Sequence, residues 1–143
     1  MFYYAGHGIQ AEGENYLIPT KTRIPTQQKL KDRAMSANYV LDNMKFARNA
    51  LNIIVLDACR DNPLPVKSET RSIRPKLVAK NGLAEMDNPA GSILIYSTAP
   101  GKQAYDGHGS NGVFTKHLLN GIKEHGHLSI QDMLILVRPN VKQ

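Results

Sequence analysis

The 143-residue sequence contains no tryptophan and one cysteine, Cys59, and aromatic residues make up only 6% of it. A single cysteine excludes an internal disulfide framework; it fits a reducing, cytoplasmic setting without demanding one. No apolar stretch approaches the roughly 18 residues of a membrane span. The opening MFYYAGHG has neither a basic segment nor a cleavage motif, so no targeting peptide is read in it. What remains is ordinary for a globular chain, 41% hydrophobic and 21% charged, and its length predicts one domain, 1–143, with a sizeable core.

The net charge of +6 invites a nucleic-acid reading, and its distribution argues against it. Lys21, Arg23, Lys29, Lys31 and Arg33 stand against Asp32 in residues 21–33, and Lys67, Arg71, Arg74, Lys76 and Lys80 stand against Glu69 in residues 66–80. Each segment carries +4, which leaves the rest of the chain slightly acidic. Both segments are loop-like and hold no aromatic residue on which a base could stack. They are expected to be solvated, with no nucleic-acid and no membrane partner.

FYYA (2–5) reads as a short strand closed by Gly6-His7-Gly8, and ENYLIPT (14–20) as a second. Residues 21–34 read as a loop. Ser36 is placed to cap a helix with Tyr39, Val40, Met44 and Ala47 on one face. IIVL (53–56) is a continuous, β-branched run of the kind buried on both faces of a sheet. Residues 60–82 have no apolar period, SILIYSTA (92–99) is a further strand, and VFTKHLLNGIKEH (113–125) has helical spacing. Ser129 starts a last helix that Pro139 is expected to interrupt. This order predicts an α/β fold with a largely parallel sheet.

In such sheets reactive groups gather at the carboxyl ends of strands. His7 follows FYYA and Cys59 follows IIVLDA, so the two can meet there. A thiol becomes a nucleophile as the thiolate, and a histidine is the natural base near neutral pH. Weaker signals fall away. Gly107, Gly109 and Gly112 match G-x-G-x-x-G, but not directly after a strand, so a nucleotide-binding domain rests on the glycine run alone. His125 and His127 are too few ligands for zinc. No G-x-S-x-G surrounds Ser97.

The runs FYYAGHG, NYLIPT, IIVLDACRDNP, GLA, YSTAPG, DGHGSNGVFTKHLL and LSIQDML occur in the order seen in bacterial caspase-like proteins of the metacaspase and orthocaspase group, which the chain resembles over most of its length. The resemblance implies a caspase-like sandwich, a mostly parallel sheet flanked by helices. It also implies further strands before FYYA and one after the last helix, so that this core would have bare apolar edges. By position Cys59 resembles the nucleophile and His7 the general acid/base. The N–H groups of Gly8 and Cys59 resemble the oxyanion hole. Ala104, Tyr105 and Asp106 resemble the segment that pairs with the substrate backbone.

The resemblance also bears on specificity. In aspartate-cutting caspases a Gln two residues before the nucleophile and an Arg beyond the APG turn help hold an acidic P1 side chain. Here those positions carry Asp57 and Asp106. A pocket of reversed charge implies cleavage after Arg or Lys. The expected activity is that of a cysteine endopeptidase acting through a thioester acyl-enzyme, without cofactor or metal; calcium dependence is not readable from the residues. The alternative is an inactive or truncated caspase-like domain serving as an interaction module. The basic loop 60–82 is a candidate for self-cleavage.

Overall fold

A computed structural model describes residues 1–59, 83–99 and 111–141, and of Gln27 and Cys59 the backbone alone. The loop 60–82, with its candidate cleavage sites, lies outside the described residues. The chain divides into two compact units, Met1–Ala104 and Tyr105–Gln143.

The first unit is built on a five-stranded sheet. In chain order it contains β1 (Phe2–Ala11), β2 (Glu14–Leu17), a 3-10 turn (Gln27–Lys29), α1 (Leu30–Arg33), β3 (Met35–Ser36), α2 (Ala37–Phe46), β4 (Asn52–Cys59) and β5 (Ser92–Tyr96). The strand order is β3-β2-β1-β4-β5. β1, β4 and β5 run parallel, as the apolar runs predict, while β2 and β3 add antiparallel edges. The antiparallel turn follows from two residues. Glu12 and Gly13 have φ of 55° and 80°, the doubly left-handed backbone of a tight hairpin turn between Ala11 and Glu14.

Several boundaries differ from the sequence reading, among them the earlier ends of β2 at Leu17 and of β5 at Tyr96. β1 does not close at Gly6-His7-Gly8 but runs through them, pairing first with β4 and then with β2. β4 likewise continues past Leu56, so Cys59 is its last residue and not a residue beyond it. In the basic segment, Leu30 is 1% exposed and packs with Ile24 on Ile9, Tyr16 and Ile18. One leucine among charges has no period to reveal it, yet burying such a side chain contributes about 1.5–3 kcal/mol and folds the segment into α1.

The other face of the sheet carries the main core. Leu17, Ile54, Leu56 and Ala58 pack against Ala37 and Leu41 of α2, with Val40 and Met44 alongside. These helix positions follow the i, i+3, i+4, i+7 stripe. Tyr39 and Ala47, expected on that face, are exposed instead. Ser36 caps α2 as predicted, accepting the Tyr39 N–H at 3.1 Å, and its hydroxyl donates to Glu14 at 2.5 Å. The same carboxylate accepts the Tyr16 hydroxyl at 2.7 Å. These bonds hold the Glu14 carboxyl below its usual range, while burial and Glu14 push the Tyr16 phenol up to about 12.

The second unit contains α3 (Val113–His125) and α4 (Ile130–Val141). Phe114, Leu118 and Gly121 of α3 are buried, as are Met133 and Val137 of α4. A methyl at Gly121 would run into Val137, so a glycine marks the closest approach of the two helices. Ser129 caps α4, accepting the Asp132 N–H at 3.2 Å. The helix passes through Pro139 to Val141, contrary to expectation. Proline in a last turn forfeits one bond at an end that frays in any case.

Candidate active site

Six consecutive residues of β1, Phe2 to His7, pair in parallel with Ile54 to Cys59 of β4. The last partners in this ladder are His7 and Cys59. Neighbouring strands lie about 4.8 Å apart, so the two backbones are adjacent where the ladder ends. His7 is exposed. Two residues earlier, Asp57 pairs with Ala5; the alternation of β1 sets Ala5 on the face of His7, and Asp57 shares it. Asp57 is 7% exposed. Asp106, Ala104 and Tyr105 lie outside the described residues, as does the side chain of Cys59.

Beyond His7, β1 changes partner. Gly8 is opposite Leu17 of β2, and the Ile18 N–H donates to the His7 carbonyl at 3.0 Å. The peptide unit joining His7 to Gly8 is planar and trans, so its carbonyl and its N–H point in opposite directions. With the carbonyl committed to β2, the Gly8 N–H is turned to the β4 side, where Cys59 ends the strand. Gly8 also has a steric reason to be glycine. A Cβ there would lie 2.9 Å from Leu83 Cδ2 and 3.1 Å from Ala58 Cβ. The sequence reading closed the strand at Gly6-His7-Gly8; the structure uses Gly8 for close packing within a continuous strand.

The segment that follows residue 82 was legible only as the fragment GLA, and its attachment was missed. Asn15 is fully buried. Its side-chain amide donates to the Ala84 carbonyl at 2.8 Å and accepts the Ala84 N–H at 2.6 Å, in the manner of a neighbouring strand. The Met86 N–H donates to the Tyr96 hydroxyl at 3.2 Å. Leu83 is thereby held against Gly8, and with Met86 it joins the core that contains Ala58. A small hollow lined by Leu56, Ala58, Leu83, Tyr96, Ser97, Thr98 and Ala99 lies beside this segment. Leu56 and Ala58 alternate with Asp57, so the hollow is on the opposite face of the sheet from the Asp57 carboxylate.

This arrangement, with a histidine and a cysteine as terminal partners on adjacent parallel strands, agrees with what comparison of the whole sequence gives. The family described as Caspase domain matches residues 1–143. The chain belongs to the caspase domain family. It is therefore an α/β domain of the cysteine peptidase class. Among curated relatives, a probable protease of a Desulfuromonadales bacterium is 27% identical over 138 residues, which is 90% of this chain and 16% of that protein. The human mucosa-associated lymphoid tissue lymphoma translocation protein 1 is 23% identical over 138 residues, 91% of this chain and 14% of that protein. Its mouse homologue matches equally. The chain thus spans about one sixth or less of the length of these relatives.

Proposed function

We propose that this caspase domain is an endopeptidase in which Cys59 is the nucleophile and His7 the general acid/base. The observation that carries the proposal is the register of the β1–β4 ladder, whose last pair is His7 and Cys59. The Cys59 thiolate attacks the scissile carbonyl carbon, and the carbonyl oxygen takes the negative charge. The N–H groups of Gly8 and Cys59 receive that oxyanion in a site where fixed dipoles act more strongly than water. His7 gives its proton to the departing amine, leaving a thioester on Cys59. It then takes a proton from water, which attacks the thioester and releases the acid with the thiol restored. The orientation of the Gly8 peptide and the exposure of His7 both support these roles.

The substrate is a peptide or protein with Arg or Lys at P1. Support comes from Asp57, a carboxylate on the His7 face two residues before the proposed nucleophile. Asp106 is a second candidate by resemblance. A carboxylate makes charge-assisted bonds to a basic P1 side chain and leaves an acidic one unpaired. Matched fluorogenic peptides differing only at P1 test this. Arg or Lys should be preferred to Asp, and Asp57→Ala should lower kcat/KM on Arg peptides by an amount worth about 2–5 kcal/mol if the pair is desolvated. Faster cleavage after Asp than after Arg overturns the specificity.

A further inference from the structure

The hydroxyl of Tyr4 has no part in the chemistry above, yet it reaches the peptide unit on which that chemistry depends. Tyr4 Oη lies 2.7 Å from the His7 carbonyl oxygen and 2.8 Å from that of Ile18. The phenol has one proton to share between them. The His7 carbonyl also accepts the Ile18 N–H at 3.0 Å, so both of its lone pairs are engaged. Burial raises the Tyr4 pKa, which keeps the phenol a donor. The ring passes over Gly6. A Cβ at Gly6 would lie 2.8 Å from Tyr4 Oη and 3.1 Å from Cζ, both too close. Gly6 is thus the clearance through which the hydroxyl reaches the residue after it.

We propose that Tyr4 is a positioning residue for the oxyanion site: by holding the His7 carbonyl toward β2, its hydroxyl fixes the His7–Gly8 peptide plane and aims the Gly8 N–H at the developing oxyanion. Peptide planarity transmits the constraint, since the carbonyl cannot turn without turning the N–H. The inference rests on the reading of Gly8 N–H as an oxyanion donor. A purely structural hydroxyl, tying the hairpin to the sheet, would affect the melting temperature and leave turnover per folded molecule unchanged.

The experiment compares Tyr4→Phe, Gly6→Ala and the double variant with the parent protein, with rates normalised to folded protein. Removing an oxyanion donor outright costs about 10²–10³ in kcat; loosening one that remains present is expected to cost about tenfold. Tyr4→Phe should therefore lower kcat about tenfold with KM within twofold. It should weaken a peptide aldehyde, whose thiohemiacetal oxygen uses the same site, by a similar factor. Alkylation of Cys59 by iodoacetamide, which builds no oxyanion, should keep its rate and pH profile. Gly6→Ala, which displaces the hydroxyl without deleting it and also strains a backbone at φ 159°, should reproduce the kcat loss, any further loss in the Tyr4→Phe background reporting that strain. Full kcat and aldehyde affinity in Tyr4→Phe overturn the inference, and full kcat in Gly6→Ala does so should Tyr4→Phe fail to fold. If Cys59→Ala or His7→Ala retains turnover, the underlying catalytic reading falls instead; if both are dead while Tyr4→Phe is normal, only the inference falls.

Discussion

Replacing Asn15 by leucine keeps its branched shape, puts two larger methyl groups where the amide atoms were, and deletes both bonds to Ala84. The side chain is fully buried, and the two bonds are 2.8 and 2.6 Å long. A buried backbone group that loses its partner costs about 1–3 kcal/mol, and here one N–H and one C=O are orphaned together. Ala84 is half-buried, so water can recover part of the loss, and the leucine adds apolar surface to the core. The net cost should be about 2–3 kcal/mol, equivalent to a fall in Tm of about 5–15 °C for a chain of this size. Circular dichroism measures the shift, and hydrogen exchange at the Ala84 amide shows whether the loss is local. The amide should exchange much faster in Asn15→Leu. A variant within about 0.5 kcal/mol of the parent, with an equally protected Ala84 amide, would refute the reasoning that this side chain acts as a substitute strand.

Other consequences are equally open to measurement. Gly8→Ala should destabilise by about 1–3 kcal/mol in chemical denaturation, because its methyl meets Leu83 and Ala58, and the cost should shrink in a Leu83→Ala background. Glu14 has its folded pKa lowered by Ser36 and Tyr16, so its contribution is complete above the unfolded carboxylate pKa and is lost as pH falls through the lower folded value. The acid side of the Tm–pH curve should therefore be flatter in Glu14→Gln. Tyr16 is the converse case: its stabilisation is full below about 10 and is lost as pH rises through about 12, and Tyr16→Phe should remove that alkaline decline.

Much of the fold was readable because its elements carry their own local signals. The Ser36 cap, the apolar run of β4 and the helical spacing from Val113 to His125 each identify their element. The residues that were misread act through distant partners. His7 looked like a turn residue because glycines flank it, whereas Gly6 clears the Tyr4 ring and Gly8 clears Leu83 and Ala58. Asn15 looked like an ordinary polar strand residue, and its partner Ala84 is 69 residues away. Leu30 is hidden among basic residues, and Gly121 has meaning only once α4 is beside it. At the candidate site positions 7 and 59 were singled out from their places after apolar runs, and the β1–β4 ladder has them as its last partners. The Tyr4 tether was not anticipated, since an aromatic residue in an apolar strand reads as core.

The central claim is that Cys59 attacks the peptide and His7 moves the proton. The most direct test is covalent labelling by an acyloxymethyl ketone bearing Arg at P1, read by intact-mass and peptide mass spectrometry beside turnover of the matching amide substrate. The account predicts one adduct, on Cys59, with turnover lost in step with labelling. Cys59→Ala should take no label, and His7→Ala should be slow in both reactions, because such a pair acts as a unit. An adduct on another residue, or a Cys59→Ala protein that keeps even a tenth of the parent turnover, would contradict it.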